Sequence, residues 1–304
     1  MKRWIFPMNL NQNLCGLLVG VVCLLGLCDA RPLKMRAESV ESRVDVWVAG
    51  KFFTSYHIKS DEKYPFFYPI NGPSGASVTS MRNGDYPHHS SLFFGCDQVN
   101  GGNFWQEGLE RGQILSQGVR VEKAQGDEIE ILDHCVWQRG GKTPLRDQRR
   151  IRIRAPSSSM RVIDFDITLE ALEEVRIAKT NHALFSVRMA PDLAPANGGL
   201  MRNAEGASGE KQTFGATSPW MVCHGSRGKM REGLALFQHP SNPGYPVRWF
   251  TRDYGFFSPT PMFWPDDGEA THLARGEKLG LRYRVLVFSG EPDIGAAFQG
   301  YVAP

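Results

Sequence analysis

The sequence contains two adjacent histidines, His88 and His89, whose imidazoles are candidate groups for proton transfer. They precede the apolar run Ser91–Phe94, a predicted strand, so at least one imidazole would stand at a strand entrance and face a cleft. Because imidazole titrates near neutral pH, the pair predicts a general acid or base. The alternative is that one histidine caps the strand and the other is solvated.

The carboxylates of Glu205 and Glu210 form a second candidate group. Glycines lie on both sides of them, so the backbone is predicted to be a loop that displays the acids. Paired carboxylates serve as acid and base in sugar chemistry, where their separation sets the mechanism. The alternative is a charged surface loop.

A third group begins at His239, which follows an apolar strand and opens a proline-rich loop. Trp249, Arg252 and Tyr254 come soon after it. Aromatic faces beside a charged hydrogen-bonding group suit a polyhydroxylated ligand, whose CH groups stack while its hydroxyls bond. The alternative is a well-packed corner of the core.

Together these groups predict a sugar-active or sugar-binding protein with one pocket between them. The predicted catalytic residues are His88, His89, Glu205 and His239, and the predicted ligand-binding residues are Trp105, Glu210, Trp249, Arg252 and Tyr254. The expected ligand is a small molecule or an oligosaccharide. The rival hypothesis is a non-catalytic binding or envelope protein, whose ligand affinity would survive loss of the histidines.

No metal or other cofactor is predicted. His88, His89 and His239 with a carboxylate could surround an ion, but adjacent side chains on a strand point to opposite faces. The sequence also contains no glycine-rich phosphate loop and no His-Glu-x-x-His motif.

The charge balance gives no sign of nucleic-acid binding. Lys and Arg number 35 against 32 for Asp and Glu, whereas a nucleic-acid interface needs a clustered basic face. The one dense basic run, Arg149, Arg150, Arg152 and Arg154, mostly alternates, which predicts a solvated strand face.

Residues 1–30 are predicted to be a secretory signal peptide that is cleaved after Ala30, so the protein would be secreted or periplasmic. Its apolar run Cys15–Cys28 has 14 residues, whereas a membrane-spanning helix needs about 20. Residues 31–42 are predicted to be a linker and residues 43–304 a single domain. The domain keeps Cys96, Cys135 and Cys223, which are expected to be three buried thiols, with one disulfide as the alternative.

The long central runs alternate apolar and polar residues, as in Arg161–Glu170. This period of two predicts antiparallel strands with one buried and one wet face. A helical period appears at Asp293–Tyr301. We therefore predict an all-β protein, a large antiparallel β-sandwich with one short C-terminal helix.

Several motifs resemble a bacterial family of unknown function whose members are often labelled "methane oxygenase PmoA". They are Tyr64–Pro69, Pro87–Phe94, Val99–Gly101 with Phe104–Trp105, Asn203–Gly206, His239–Pro243 with Arg252–Gly255, and Leu281–Val287. The resemblance implies an exported β protein with a carbohydrate role, similar in fold to the large galactose-mutarotase-like sandwich of aldose epimerases. The label itself suggests a further alternative, a metal-dependent oxygenase.

Overall fold

The computed structural model describes residues 32–303 except 85, 107, 265–267 and 269. The predicted signal peptide and its cleavage position lie outside the described residues. Within the described part, no helix is long and apolar enough to cross a membrane.

Strands dominate the described structure, as the alternation predicts. The first eleven are β1 (Met35–Val40), β2 (Arg43–Val48), β3 (Lys51–His57), β4 (Phe66–Ile70), β5 (Met81–Asn83), β6 (Tyr86–Ser90), β7 (Leu92–Cys96), β8 (Gln113–Lys123), β9 (Gln125–Gly126), β10 (Glu128–Arg139) and β11 (Lys142–Ser157). The others are β12 (Met160–Ala171), β13 (Val175–Ala178), β14 (Ala183–Arg188), β15 (Leu200–Asn203), β16 (Trp220–Arg227), β17 (Met230–Gln238), β18 (Trp249–Arg252), β19 (Phe256–Pro259), β20 (Ala270–Leu273) and β21 (Lys278–Ser289). The α-helices of this part are α1 (Glu210–Thr213) and α2 (Ile294–Val302).

Two large antiparallel sheets enclose one apolar core. The nine-stranded sheet has the order β18-β19-β14-β7-β4-β3-β2-β1-β9, and the eight-stranded sheet has the order β15-β16-β17-β21-β12-β11-β10-β8. Along β10, every second residue is buried, while the residues that alternate with them are more exposed; the buried ones are Ile129, Ile131, Asp133, Cys135 and Trp137. One face of each long strand is therefore packed and the other is wet. The predicted sandwich is confirmed.

The C-terminal helix α2 covers part of the other face of the eight-stranded sheet. Its buried residues Ile294, Phe298 and Tyr301 belong to an apolar cluster that includes Phe237 of β17. The Asp293 carboxylate caps the helix by accepting a hydrogen bond from the backbone N–H of Ala296 at 2.9 Å, a common way to satisfy a helix start. The predicted terminal helix is confirmed.

The assignment of residues 31–42 to a linker is wrong for strand β1. Residues Met35–Val40 pair antiparallel with β2, from Met35 opposite Val48 to Val40 opposite Arg43. Side chains such as Arg36 and Glu38 point to solvent, so the composition is polar even though the backbone is paired. Backbone hydrogen bonds hold this strand, and a search for apolar periodicity misses it.

The three cysteines of the described part are free and buried, as predicted. Burial raises the pKa values of the Cys96, Cys135 and Cys223 thiols above their ordinary value. They are therefore protonated and packed as small apolar groups.

Arg149 is buried, so the prediction of a fully solvated arginine face is wrong at this position. Its guanidinium donates to both carboxylate oxygens of Asp147, at 2.8 and 3.1 Å. The Trp137 indole N–H donates to the same carboxylate at 2.8 Å. Arg149 also contacts the hydroxyl of Tyr56, on the opposite sheet, at 3.3 Å. This paired charge therefore connects the two sheets through the core.

Candidate functional site

His88 and His89 lie in the short strand β6, which pairs with β5. His89 is buried and His88 is half-buried. Their rings meet edge to face with centroids 4.5 Å apart, although neighbours on a regular strand point to opposite faces. The β5–β6 pair is short and its register shifts between Met81 and Asn83, so it does not impose that alternation.

The two imidazoles belong to a closed circuit of five rings. The centroid separations are 4.5 Å for His88–His89, 4.6 Å for His89–Phe256, 5.8 Å for Phe256–Trp105, 5.6 Å for Trp105–His182 and 6.3 Å for His182–His88. His89, Trp105 and Phe256 are buried. His88 and His182 are half-buried.

Two tyrosines and an arginine continue this cluster on one side. Tyr86 stacks on His89 with centroids 5.0 Å apart and on Tyr254 at 4.3 Å. The Arg188 guanidinium carbon lies 4.3 Å from the Tyr254 ring centroid and 5.3 Å from that of Tyr86, within cation–π distance of both. We refer to these three residues and the five rings as the histidine site.

Several buried nitrogen atoms of the histidine site lack a hydrogen-bond partner among the described residues. They are Nδ1 of His89, Nε1 of Trp105, and Nε and Nη1 of Arg188. Native proteins rarely leave buried polar atoms unsatisfied, because desolvation without a hydrogen bond is unfavourable. These atoms are close together in one cluster, where a polar ligand or an ordered water would complete their hydrogen bonding.

His89 is a neutral imidazole in this environment. Burial, followed by the positive charges of His88, Arg188 and His182, lowers the pKa of His89 to about 2. An imidazole that is neutral at all physiological pH values can bind a ligand by hydrogen bonds. It is poorly matched to proton transfer, which favours a pKa near the working pH.

His182 is placed beside a carboxylate. Its Nδ1 lies 3.7 Å from Oδ2 of Asp97, and the backbone N–H of Asp97 donates to the His182 carbonyl at 2.8 Å. Burial acts to raise the pKa of Asp97, but the neighbouring His182 and the backbone N–H of Gln98 outweigh burial and lower that pKa below its ordinary value. Asp97 is therefore ionised, and its carboxylate can orient the His182 imidazole.

The predicted acids lie elsewhere. Glu205 is exposed. Glu210 begins α1, where its carboxylate pairs with Arg252 at 3.1 Å and accepts the backbone N–H of Asp253 at 3.0 Å. Arg252 also stacks on the ring of Phe250, 4.2 Å from its centroid. Glu210 and Arg252 are thus satisfied by each other and by their own loops.

His239 and Trp249 are also outside the histidine site. His239 Nδ1 contacts the Ser241 hydroxyl at 2.7 Å, and its Nε2 lies 3.3 Å from Nη1 of Arg282. Trp249 is fully buried, and its indole donates to the Ser218 carbonyl at 2.8 Å. The expected convergence of all three groups on one pocket is therefore wrong. The structure brings together only His88, His89, Trp105 and Tyr254 from that set.

Sequence reasoning missed Arg188, His182, Asp97 and Tyr86. Arg188 has a detectable signal, because it is the charged residue in the otherwise uncharged run Ala183–Ala190. All six residues of β14 are buried, and a charge there needs a reason. His182 and Asp97 come together through the pairing of β7 with β14. The local sequence around either residue does not predict this pairing.

A profile of the family of unknown function DUF6807 matches residues 43–300. This match confirms the predicted resemblance to a family of unknown function, and the family's description carries no methane oxygenase label. A search of curated proteins finds no match.

Solved structures with similar backbones have low sequence identity. A β-arabinopyranosidase is 12% identical with a TM-score of 0.40, over 84% of this chain and 40% of that one. A galactose mutarotase related enzyme from Lactobacillus acidophilus is 10% identical with a TM-score of 0.30, over 83% and 97%. A heparinase III is 8% identical with a TM-score of 0.27, over 82% and 30%. This chain thus spans less than half of the first and third proteins.

Proposed function

The chain belongs to the family of unknown function DUF6807, and from its geometry we propose that the histidine site binds a sugar and exchanges protons with it. The observation that carries the proposal is the set of buried nitrogens on His89, Trp105 and Arg188 that have no partner in the described part of the chain and lie beside flat aromatic faces. A sugar ring presents CH groups to aromatic faces and hydroxyls to such donors and acceptors.

The residues of the site take different roles in this proposal. His182, oriented by Asp97, is the group that accepts or donates a proton. Tyr86 and Tyr254 supply stacking faces. His89 hydrogen-bonds the ligand as a neutral imidazole, which replaces the proton-transfer role predicted for it from the sequence.

We propose that this chemistry takes place outside the cytoplasm. The proposal rests on the basic start, short apolar run and small-residue cleavage position of residues 1–30. The thiols of Cys96, Cys135 and Cys223 are buried, which would protect them from exchange in an oxidising compartment.

A panel of neutral and acidic mono- and oligosaccharides, screened by thermal shift, tests the proposed function. At least one sugar should raise the melting temperature of the wild-type protein, since a ligand that binds only the folded state stabilises it. Tyr254→Ala should abolish that shift, because it removes a stacking face of the site. Tyr245→Ala, a half-buried tyrosine outside the site, is the matched control and should keep the shift. The proposal fails if no sugar stabilises the protein, or if both variants respond like the wild type.

Incubation of the stabilising sugar with the protein separates catalysis from binding alone. The proposed proton transfer predicts a changed product, detected by NMR, that disappears in His182→Ala. The non-catalytic rival predicts an unchanged sugar and undiminished affinity in the same variant. The oxygenase alternative draws no support from the described residues, which contain no group of three or more His, Cys, Asp or Glu placed to hold a metal ion.

A further inference from the structure

We propose that the ligand of the histidine site is an acidic sugar with one singly charged group, and that Arg188 binds this group. The inference rests on the proposed function, which it narrows to a substrate class. Uronic acids carry such a group as a carboxylate, and sulfated sugars carry it as a sulfate ester.

Arg188 differs from the other buried arginines of the described part. Arg149 is paired with Asp147 through two hydrogen bonds. Arg161 donates to three backbone carbonyls, those of Ser157, Ser158 and Met160. Arg188 is 6% exposed, and neither its Nε nor its Nη1 has an acceptor among the described residues. No described carboxylate lies within ion-pair distance of it.

The groups around Arg188 that the structure describes do not neutralise its charge. Tyr86 and Tyr254 contact it through their ring faces, and the other close polar group, His89, is a neutral imidazole. Removing an ion from water is costly unless a counter-charge accompanies it. Arg188 is therefore a desolvated positive charge that a bound anion would neutralise.

The single positive charge of Arg188 indicates which class of anion would bind. Among the described residues, Arg188 is the buried arginine that has neither a counter-charge nor an acceptor for its Nε and Nη1 atoms, and a singly charged group would balance it. A phosphate monoester would bring a second negative charge into the same buried place. A groove on the other face of the eight-stranded sheet also contains arginines, but these have acidic partners. Arg120, Arg150 and Arg282 are paired with Glu122, Glu130 and Asp166. Among its described residues, this groove therefore has no unpaired cation that could bind an anion.

Titration calorimetry with four defined sugars tests the inference. Glucuronate and galacturonate should bind the wild-type protein more tightly than glucose and galactose. The expected ratio is roughly tenfold to a hundredfold, the effect of a hydrogen bond to a charged group. Arg188→Met should bind acidic and neutral sugars with equal affinity. Arg248→Met removes an exposed arginine outside the site and should keep the preference. Galactose 6-sulfate, added as a fifth ligand, distinguishes sulfate from carboxylate as the preferred group.

A melting curve of Arg188→Met tests whether Arg188 only stabilises the fold. Because the substitution removes a buried, unpaired charge, the variant should melt at or above the wild-type temperature. A clearly lower melting temperature would overturn the inference, as would equal binding of acidic and neutral sugars by the wild type. In the second case the proposed function survives with a neutral substrate. If no sugar of either kind binds, the proposed function itself fails.

Discussion

Replacing His182 with alanine is expected to lower kcat for the sugar substrate by about 10²- to 10⁴-fold, the usual effect of removing a positioned acid or base. KM should change little, because the stacking faces of Tyr86 and Tyr254 and the charge of Arg188 are retained. Steady-state kinetics on the sugar identified by the thermal-shift panel measures both constants.

His239→Ala is the matched control for this experiment. The sequence assigned His239 a catalytic role, but the structure gives it Ser241 and Arg282 as partners. Its substitution should leave kcat near the wild-type value. Asp97→Asn should lower kcat by less than His182→Ala and leave KM unchanged, as expected of a positioning residue. A large loss in His239→Ala with none in His182→Ala would refute the assignment.

Replacing Asp147 with asparagine is expected to cost about 3–5 kcal/mol of unfolding free energy, the usual penalty for breaking a buried ion pair. The variant leaves the fully buried Arg149 guanidinium without its counter-charge and weakens the bond from the Trp137 indole. Urea denaturation followed by tryptophan fluorescence measures the change.

Glu38→Gln provides the comparison, because Glu38 pairs with Arg36 at the protein surface. Exposed ion pairs contribute little, so this variant should unfold close to the wild-type midpoint. Equal effects of the two substitutions would show that the Asp147–Arg149 pair does not stabilise the packing of the two sheets.

Much of the fold follows from local sequence patterns. The alternation in Arg161–Glu170 correctly indicates a strand, β12, and in its second half, from Phe165 to Glu170, one buried face. Strand β1 and the short strands β5 and β15 are missed because backbone pairing holds them in place with little apolar periodicity. Secondary structure of this kind depends on pairing with a neighbouring strand rather than on a pattern within the strand itself.

Only some residues of the candidate site could be predicted from the sequence, because the site also depends on tertiary contacts. The residue types of His88, His89, Trp105 and Tyr254 suggested chemistry, and all four lie in the histidine site. Glu210 and Arg252 suggested chemistry equally well, yet they form an ion pair with each other. Residue type does not reveal whether a charged group has a partner. That information comes only from tertiary structure.

The most direct test of the histidine site is an NMR titration that follows the imidazole signals of all eight histidines, assigned by single His→Gln variants. The sugar that most raises the melting temperature is the ligand. We expect it to shift the signals of His88, His89 and His182 and to leave those of His239, His134 and His57 in place. Shifts confined to His239, or no shift in any imidazole while the sugar binds, would contradict the account.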